Sequence, residues 1–78
     1  MLLLKLVNEK DSEVVYNYFP EQGEQFGSVT ISKTTGEIID AQIAENDLHR
    51  RYLHHAVSKV VEFYENDVYE DKAVVAWY

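Results

Sequence analysis

The stretch from Asp47 to Asn66 constrains the fold most, because apolar residues recur along it at helical spacing and neither proline nor glycine interrupts it. At about 100° per residue, the apolar side chains fall on one broad arc. They are Leu48, Tyr52, Leu53, Ala56, Val57, Val60, Phe63 and Tyr64. Asn46 and Asp47 are suitable N-cap residues, and Asn66 tolerates the left-handed conformation that ends many helices. We therefore predict one helix over Asp47–Asn66, which needs a packing partner to be stable.

Five other segments have the alternation or the β-branched and aromatic composition that is typical of strands. They are Leu2–Val7, Val14–Phe19, Phe26–Lys33, Glu37–Ala44 and Lys72–Tyr78. Between the third and fourth, Gly36 suits the positive φ of a type I turn followed by a bulge. The order β-β-β-β-α-β predicts an α+β fold: an antiparallel meander of about four strands, one helix packed on one face, and a final C-terminal strand that joins the sheet.

The length of 78 residues predicts a single domain covering residues 1–78. The final strand could pair with either the first or the fourth strand, and the sequence leaves this choice open. Seven Lys and Arg residues against 14 Asp and Glu residues give a net charge of −7. Phosphate backbones and anionic membranes attract positive surfaces, so we expect neither direct nucleic-acid binding nor membrane binding.

The absence of cysteine excludes disulfides and thiolate chemistry and fits a cytoplasmic protein. No serine lies in a nucleophile elbow, and no glycine-rich phosphate loop is present. His49, His54 and His55 do not have the i,i+3 or i,i+4 spacing that places two metal ligands on one helix face. We therefore predict no catalytic residues, no cofactor, no metal site and no enzymatic activity.

Positive charge is concentrated on the outer side of the predicted helix. The residues concerned are Arg50, Arg51, His54, His55 and Lys59. One interpretation is an ordinary solvated helix face with Glu62 and Glu65 nearby. The other is a docking surface for an acidic protein partner, which arginine suits because its planar guanidinium matches a carboxylate.

The sheet face turned away from the helix is the second candidate surface. Strand alternation places both apolar and polar side chains there. The apolar ones are Leu3, Val15, Phe19, Phe26, Ile38, Val74 and Tyr78; the polar ones are Asn17, Thr30, Asp40 and Gln42. Among these, Phe19, Phe26, Ile38 and Tyr78 predict an interface with a homodimer partner or another protein, since monomers seldom expose a large apolar patch. Alternatively, loops cover this face or one strand has the opposite parity.

Several short segments resemble small uncharacterised proteins of Gram-positive bacteria and their mobile elements. They are Tyr16–Pro20, Ser32–Ile38, Ala44–Asp47, Tyr52–Ala56 and Ala76–Tyr78. The resemblance covers most of the chain and implies a bacterial cytoplasmic protein, but no activity and no binding residues.

These observations together predict a small, acidic, non-enzymatic protein-interaction domain that forms a homodimer or binds another protein. The first alternative is a regulator or inhibitor that imitates the charge of nucleic acid. The second alternative is a small ligand-binding protein or enzyme. Neither the partner nor the pathway follows from the residues.

Overall fold

A computed structural model describes residues 1–21 and 23–76 and has the predicted order of elements. The strands are β1 (Leu2–Glu9), β2 (Glu13–Pro20), β3 (Gly27–Ser32), β4 (Ile38–Gln42) and β5 (Lys72–Val75). The helix, α1 (Arg51–Asn66), lies between β4 and β5. The predicted α+β class is therefore confirmed, and Trp77 and Tyr78 of the predicted final strand lie outside the described residues.

The five strands form one antiparallel sheet in the order β4-β3-β2-β1-β5. The first four strands make the predicted meander, and β5 joins its edge by pairing with β1, with Leu2 opposite Val75 and Lys5 opposite Lys72. The final strand therefore pairs with the first strand and not with the fourth, a choice that the sequence left open. The chain crosses over the sheet through α1 to reach that edge.

The core lies between α1 and one face of the sheet, where the helix packs against β1, β2, β3 and β5. Alternate strand residues and one stripe of the helix supply it. The buried apolar residues are Leu2, Leu4, Val14, Tyr16, Tyr18, Val29, Ile31, Ala44, Ala56, Val60 and Phe63. Ala56 is fully buried, and its small side chain lets the helix backbone lie close to the strands.

The helix begins at Arg51, four residues after the predicted start at Asp47. Arg50 occupies the N-cap position with φ 58° and makes no side-chain capping hydrogen bond. Asp47 still performs the capping that its residue type predicted, but from outside the helix: its Oδ1 accepts from the Tyr52 N–H (3.2 Å) and its Oδ2 from the Leu53 N–H (2.9 Å). Residues 48–50 lie in a turn and a bend between the buried Asp47 and the first residue of the helix.

The helix ends at Asn66, as predicted, but the left-handed residue is Asp67, with φ 54°. The Asp67 N–H donates to the Tyr64 carbonyl (3.2 Å) and the Val68 N–H donates to the Phe63 carbonyl (3.1 Å). This pair of hydrogen bonds is a Schellman motif, which satisfies carbonyls that have no partner inside the helix.

The β3–β4 hairpin confirms the role predicted for Gly36, which has φ +78°. Its N–H donates to the Ser32 carbonyl (2.9 Å), and the Ser32 N–H donates to the Glu37 carbonyl (2.9 Å). A Cβ at this position would lie 2.5 Å from the Tyr64 ring. Glycine is therefore favoured at this position for two reasons: the backbone is left-handed, and the Tyr64 ring of the helix leaves no room for a Cβ.

The prediction that Ile38 lies on the uncovered sheet face was wrong. Between Thr30 and Ile31 of β3 the pairing partner on β4 changes from Asp40 to Ile38, which leaves Ile39 as the extra residue of a bulge. Ile38 therefore pairs with buried Ile31 and packs against the core, while Ile39 is exposed. Strict alternation placed Ile38 on the wrong face because a bulge shifts the alternation by one position.

Candidate functional site

The uncovered sheet face presents its side chains in rows that run across the strands. One row is apolar: Val74 of β5 lies opposite Leu3 of β1, and Leu3 lies opposite Phe19 of β2. Phe26, just before β3, extends the row through a ring contact with Phe19, with centroids 5.4 Å apart and planes tilted by 41°. Phe26 and Val74 are 54% and 57% exposed. The face thus carries a continuous apolar row that is open to solvent at both ends.

The next row is polar and contains two lysines. Lys72, Lys5, Asn17, Ser28 and Gln42 follow one another across β5, β1, β2, β3 and β4. Lys5 and Lys72 are both exposed and directly paired, an arrangement that is unfavourable for like charges unless something else balances them. Lys5 also lies over the Phe19 ring, with its Nζ 5.1 Å from the centroid.

Of the four residues predicted as a sheet-face interface, the structure brings two together. Phe19 and Phe26 are in contact on the uncovered face. Ile38 points toward the helix, for the reason given above. Tyr78 lies outside the described residues. Whether the face binds a partner stays a prediction.

The helix-face residues lie at the start of α1 and along its outer side. Arg50 is the N-cap residue and Arg51 the first helical residue, and both are exposed. Arg51, His55 and Lys59 follow one another at i,i+4 spacing and so share a stripe. His54 is exposed, whereas His55 is half-buried.

These cations are not equivalent. The Lys59 ammonium lies 3.3 Å from the Glu62 carboxylate and 5.4 Å from the Phe63 ring centroid, so it already has two favourable contacts. Within residues 1–21 and 23–76, no ion pair engages Arg50 or Arg51. The two arginines are therefore the part of this surface that could receive an acidic group.

A buried hydrogen-bond network around Asp47 joins the sheet to the helix. Asp47 is only 3% exposed. The Tyr18 hydroxyl donates to Asp47 Oδ2 (3.0 Å) and accepts from the Ala44 N–H (3.0 Å). Together with the two helix N–H groups, Asp47 accepts three hydrogen bonds, which offset the cost of burying a carboxylate. The sequence indicated a cap at Asp47, but it gave no sign of the tyrosine partner from β2.

Burial also changes the titration of two core tyrosines. It raises the pKa of Tyr18 to about 12, with the hydrogen bond to Asp47 adding to the rise and the one from Ala44 opposing it. Burial, with smaller contributions from nearby acidic groups led by Glu9, also raises the pKa of Tyr16. The Tyr16 hydroxyl donates to the Glu70 carbonyl (2.7 Å) and so ties β2 to the loop before β5. Both phenols act as neutral structural donors.

A depression of about 180 Å³ lies beside the start of the helix. It is lined by Asn46, Asp47, Leu48, His49, Arg51 and Tyr52. Ligand pockets usually enclose about 300–1,000 Å³, and the buried carboxylate here is already occupied by the helix and Tyr18. We therefore assign no ligand to this depression.

In the described part of the chain, no group of three or more His, Cys, Asp or Glu side chains is placed to hold a metal ion. No helix among residues 1–21 and 23–76 has the length and apolar character needed to cross a membrane.

The two lysines of the uncovered face are the feature that sequence reasoning missed. Lys5 and Lys72 are far apart in the chain, and only the β1–β5 pairing places them side by side.

No family model, curated protein or solved structure matches this chain. The geometry of its surfaces is therefore the basis for the functional proposal.

Proposed function

We propose that this protein is a non-enzymatic protein-interaction domain that binds its partner through the uncovered sheet face. The observation that carries the proposal is the apolar row of Phe26, Phe19, Leu3 and Val74, whose two ends, Phe26 and Val74, are more than half exposed. Aromatic residues in the centre of an interface supply much of its binding energy. In agreement with the resemblance noted above, we place this activity in the bacterial cytoplasm.

The experiment is affinity capture from a bacterial cytoplasmic lysate with matched variants. Phe26→Asp changes the uncovered face, and Leu48→Asp makes an apolar-to-aspartate change in the β4–α1 loop, at a residue that is 84% exposed. Because both side chains are largely exposed, both variants are expected to fold. The proposal requires a specific partner, which includes further copies of this chain, that is lost with Phe26→Asp and kept with Leu48→Asp.

The two unpaired arginines favour the helix face as a second candidate surface for the same function. Its variant is Arg50→Glu with Arg51→Glu, to be compared with Glu70→Lys with Asp71→Lys, two exposed acidic residues in the loop between α1 and β5. Loss of the partner only in the arginine variant would move the interface to the start of α1. If every variant keeps every partner, the interaction proposal is wrong for both surfaces.

A further inference from the structure

The edge strand β4 is open to solvent even on the side of the sheet where the other strands are covered. The helix packs against β1, β2, β3 and β5. Ala41 of β4 lies opposite Val29 of β3, which is fully buried under the helix, and yet Ala41 itself is exposed. Ile43, which strand alternation places on the same side, is 44% exposed. Ala41 and Ile43 therefore form an apolar strip beside the helix, which we call the β4 ledge.

One flank of the helix faces this ledge. Tyr64 lies against Gly36 of the β3–β4 hairpin, where an added Cβ would be 2.5 Å from the Tyr64 ring. Leu53, Val57 and Val61 precede Tyr64 at helical spacing and so lie on the same flank. All three are only half-buried. The β4 ledge and this flank together form an apolar corner that runs along the free edge of the sheet.

The backbone of β4 also has hydrogen-bonding groups that point away from the sheet. In the β3–β4 hairpin the Ser32 N–H donates to the Glu37 carbonyl. Alternation along β3 then directs the N–H and C=O groups of Thr30 toward β4, and those of its partner Asp40 toward β3. The N–H and C=O groups of Ala41 consequently point outward. Among the described residues, no backbone hydrogen bond outside the sheet reaches Ala41.

The other edge of the sheet is protected against further strands. β5 is four residues long and carries Lys72, and both a short strand and a lysine oppose pairing at an edge. β4 has a bulge at Ile39, but Asp40–Gln42 pair regularly with β3. No lysine, arginine or proline occurs between Lys33 and Arg50. The edge at β4 is therefore the one that can accept another strand.

The charge of this edge selects the kind of strand that fits it. Asp40 is exposed and takes part in no ion pair among the residues that the structure describes. Glu37 and Glu45, before and after the strand, are exposed as well. Two such acidic edges repel each other, which disfavours a second copy of this chain. A cationic side chain directly opposite Asp40 would instead lie about 5 Å away and form a favourable cross-strand pair.

We propose that the edge of β4 binds an extended segment of a partner protein, which adds a strand to the sheet and has a lysine or arginine opposite Asp40. Its backbone hydrogen bonds with the outward N–H and C=O groups of Ala41. Its alternate side chains are apolar and pack on the β4 ledge, beside Val57 and Val61. This site is separate from the uncovered face and does not depend on the function proposed for that face.

The first test uses a defined peptide as the probe. The peptide has about seven residues, the length of an ordinary strand, with blocked ends. Valine occupies alternate positions, and threonines with one central lysine occupy the positions between them. In the saturated complex the Ala41 amide should exchange its hydrogen about tenfold more slowly or less, as measured by NMR, because it has gained an acceptor. An unchanged Ala41 amide, or no binding at millimolar peptide, would overturn the proposal.

The second test reverses the charge pair. Asp40→Lys should weaken binding of the lysine peptide by about two- to fivefold, as for an exposed ion pair. It should strengthen binding of the same peptide with glutamate at its centre. Asp71→Lys is the control, because it makes the same change in net charge at an exposed residue beside the opposite edge. Equal effects of the two variants would mean that net charge, and not Asp40, selects the segment, which contradicts the proposal.

The third test removes the outward backbone donor. Ala41→Pro lacks this N–H but keeps every hydrogen bond from β4 to β3, so it should fold, which urea denaturation checks. It should bind the lysine peptide about tenfold more weakly or worse. Unchanged binding would overturn the proposal. If this variant does not fold, exchange of the Ala41 amide in the unchanged protein decides the question.

Further outcomes separate this site from the uncovered face. Val74→Asp, on that face, should leave the peptide affinity unchanged, and its loss there would place the peptide on the uncovered face and overturn the site at β4. A partner captured through the uncovered face should be lost with Phe26→Asp and kept with Ala41→Pro, so the two proposals fail independently. Self-association that Ala41→Pro abolishes would make a second copy the occupant of the edge and overturn this proposal.

Discussion

Asp47 shows how one residue can determine where a helix begins. A carboxylate that accepts N–H groups at the second and third positions of a helix normally belongs to its N-cap residue. Here Asp47 accepts these two bonds, although it lies three residues before the N-cap residue Arg50. The Tyr18 hydroxyl of β2 donates to the same carboxylate. The consequence is that the start of α1 and the centre of the sheet are stabilised by the same buried group.

Asp47→Ala should therefore destabilise the protein by about 3 kcal/mol or more, because it leaves the Tyr18 hydroxyl and two helix N–H groups without an acceptor. Urea denaturation measures the loss of stability, and hydrogen exchange at the Tyr52 and Leu53 amides locates it. Glu45→Ala, at an exposed residue of the same loop, is the control and should change stability by less than about 0.5 kcal/mol. Similar losses for both variants would contradict a structural role for the network.

Gly36→Ala should cost about 1 kcal/mol or more, because alanine resists a φ of +78° and its Cβ would meet the Tyr64 ring. Chemical denaturation of Gly36→Ala, Tyr64→Ala and the double variant separates the two causes. The cost of the glycine change should fall, but not vanish, once the ring is removed. An unchanged unfolding midpoint and slope in Gly36→Ala would exclude both causes.

At the scale of elements, the helix has a weakness at its C-terminal end. Asp67 adopts the left-handed conformation that favours glycine, and its negative charge lies at the negative end of the helix dipole. No basic residue lies in the last turn to balance it. The Schellman hydrogen bonds are made by the backbone, so the side chain at this position can be changed without breaking them.

Asp67→Asn removes the charge and should stabilise the protein by about 0.3–1 kcal/mol. Asp67→Gly also removes the conformational strain and should stabilise it more than asparagine does, by about 1–2 kcal/mol in total. Thermal and urea unfolding measure both variants. A gain with asparagine that disappears in high salt identifies the dipole as its cause, and equal gains for the two variants would mean that the left-handed conformation carries no strain.

The packing of the helix provides a second prediction at this scale. Ala56 is fully buried, whereas Ser58 is exposed. Ala56→Phe should cost roughly 1–3 kcal/mol through overpacking, and Ser58→Ala should stay within about 0.5 kcal/mol. Chemical denaturation of the two variants provides the comparison. Equal effects would contradict the close approach of helix and sheet at Ala56.

At the scale of the whole molecule, the core holds two neutral phenols whose pKa values are raised by burial. In the unfolded chain tyrosine ionises near pH 10. Below that pH both states keep the proton and the stabilisation is fully present. As the pH rises above 10, the unfolded state loses protons that the folded state retains, so stability falls until the folded pKa, about 12 for Tyr18, is reached.

Each phenol should therefore lower the unfolding free energy by up to about 1.4 kcal/mol per pH unit in this window. Urea denaturation at a series of pH values from 8 to about 11 tests this expectation. Tyr16→Phe removes one of these phenols and should reduce the alkaline slope by up to about 1.4 kcal/mol per pH unit, whatever it does to stability at pH 8. An unchanged slope in Tyr16→Phe would mean that this phenol is not protected by the fold.

The sequence by itself determined the class of the fold and the order of its elements. Three signals depend only on residues that are close together in the chain: the alternation in Val14–Phe19, the helical spacing of apolar residues before Asn66, and the turn at Gly36. They can therefore be predicted from the sequence without knowledge of the fold. The uncovered face was predicted in outline for the same reason, and Phe19 and Phe26 lie on it in contact. The α+β class, with one helix on an antiparallel sheet, follows from these patterns.

Tertiary structure decided what depends on residues that are distant in the chain. The bulge at Ile39 is set by pairing with β3, and it moved Ile38 to the core. The start of the helix depends on Tyr18, which binds Asp47 from 29 residues away. The pairing of β5 with β1 placed Lys72 beside Lys5 on the uncovered face. A local pattern contains no information about these partners, because each becomes a neighbour only when the chain has folded.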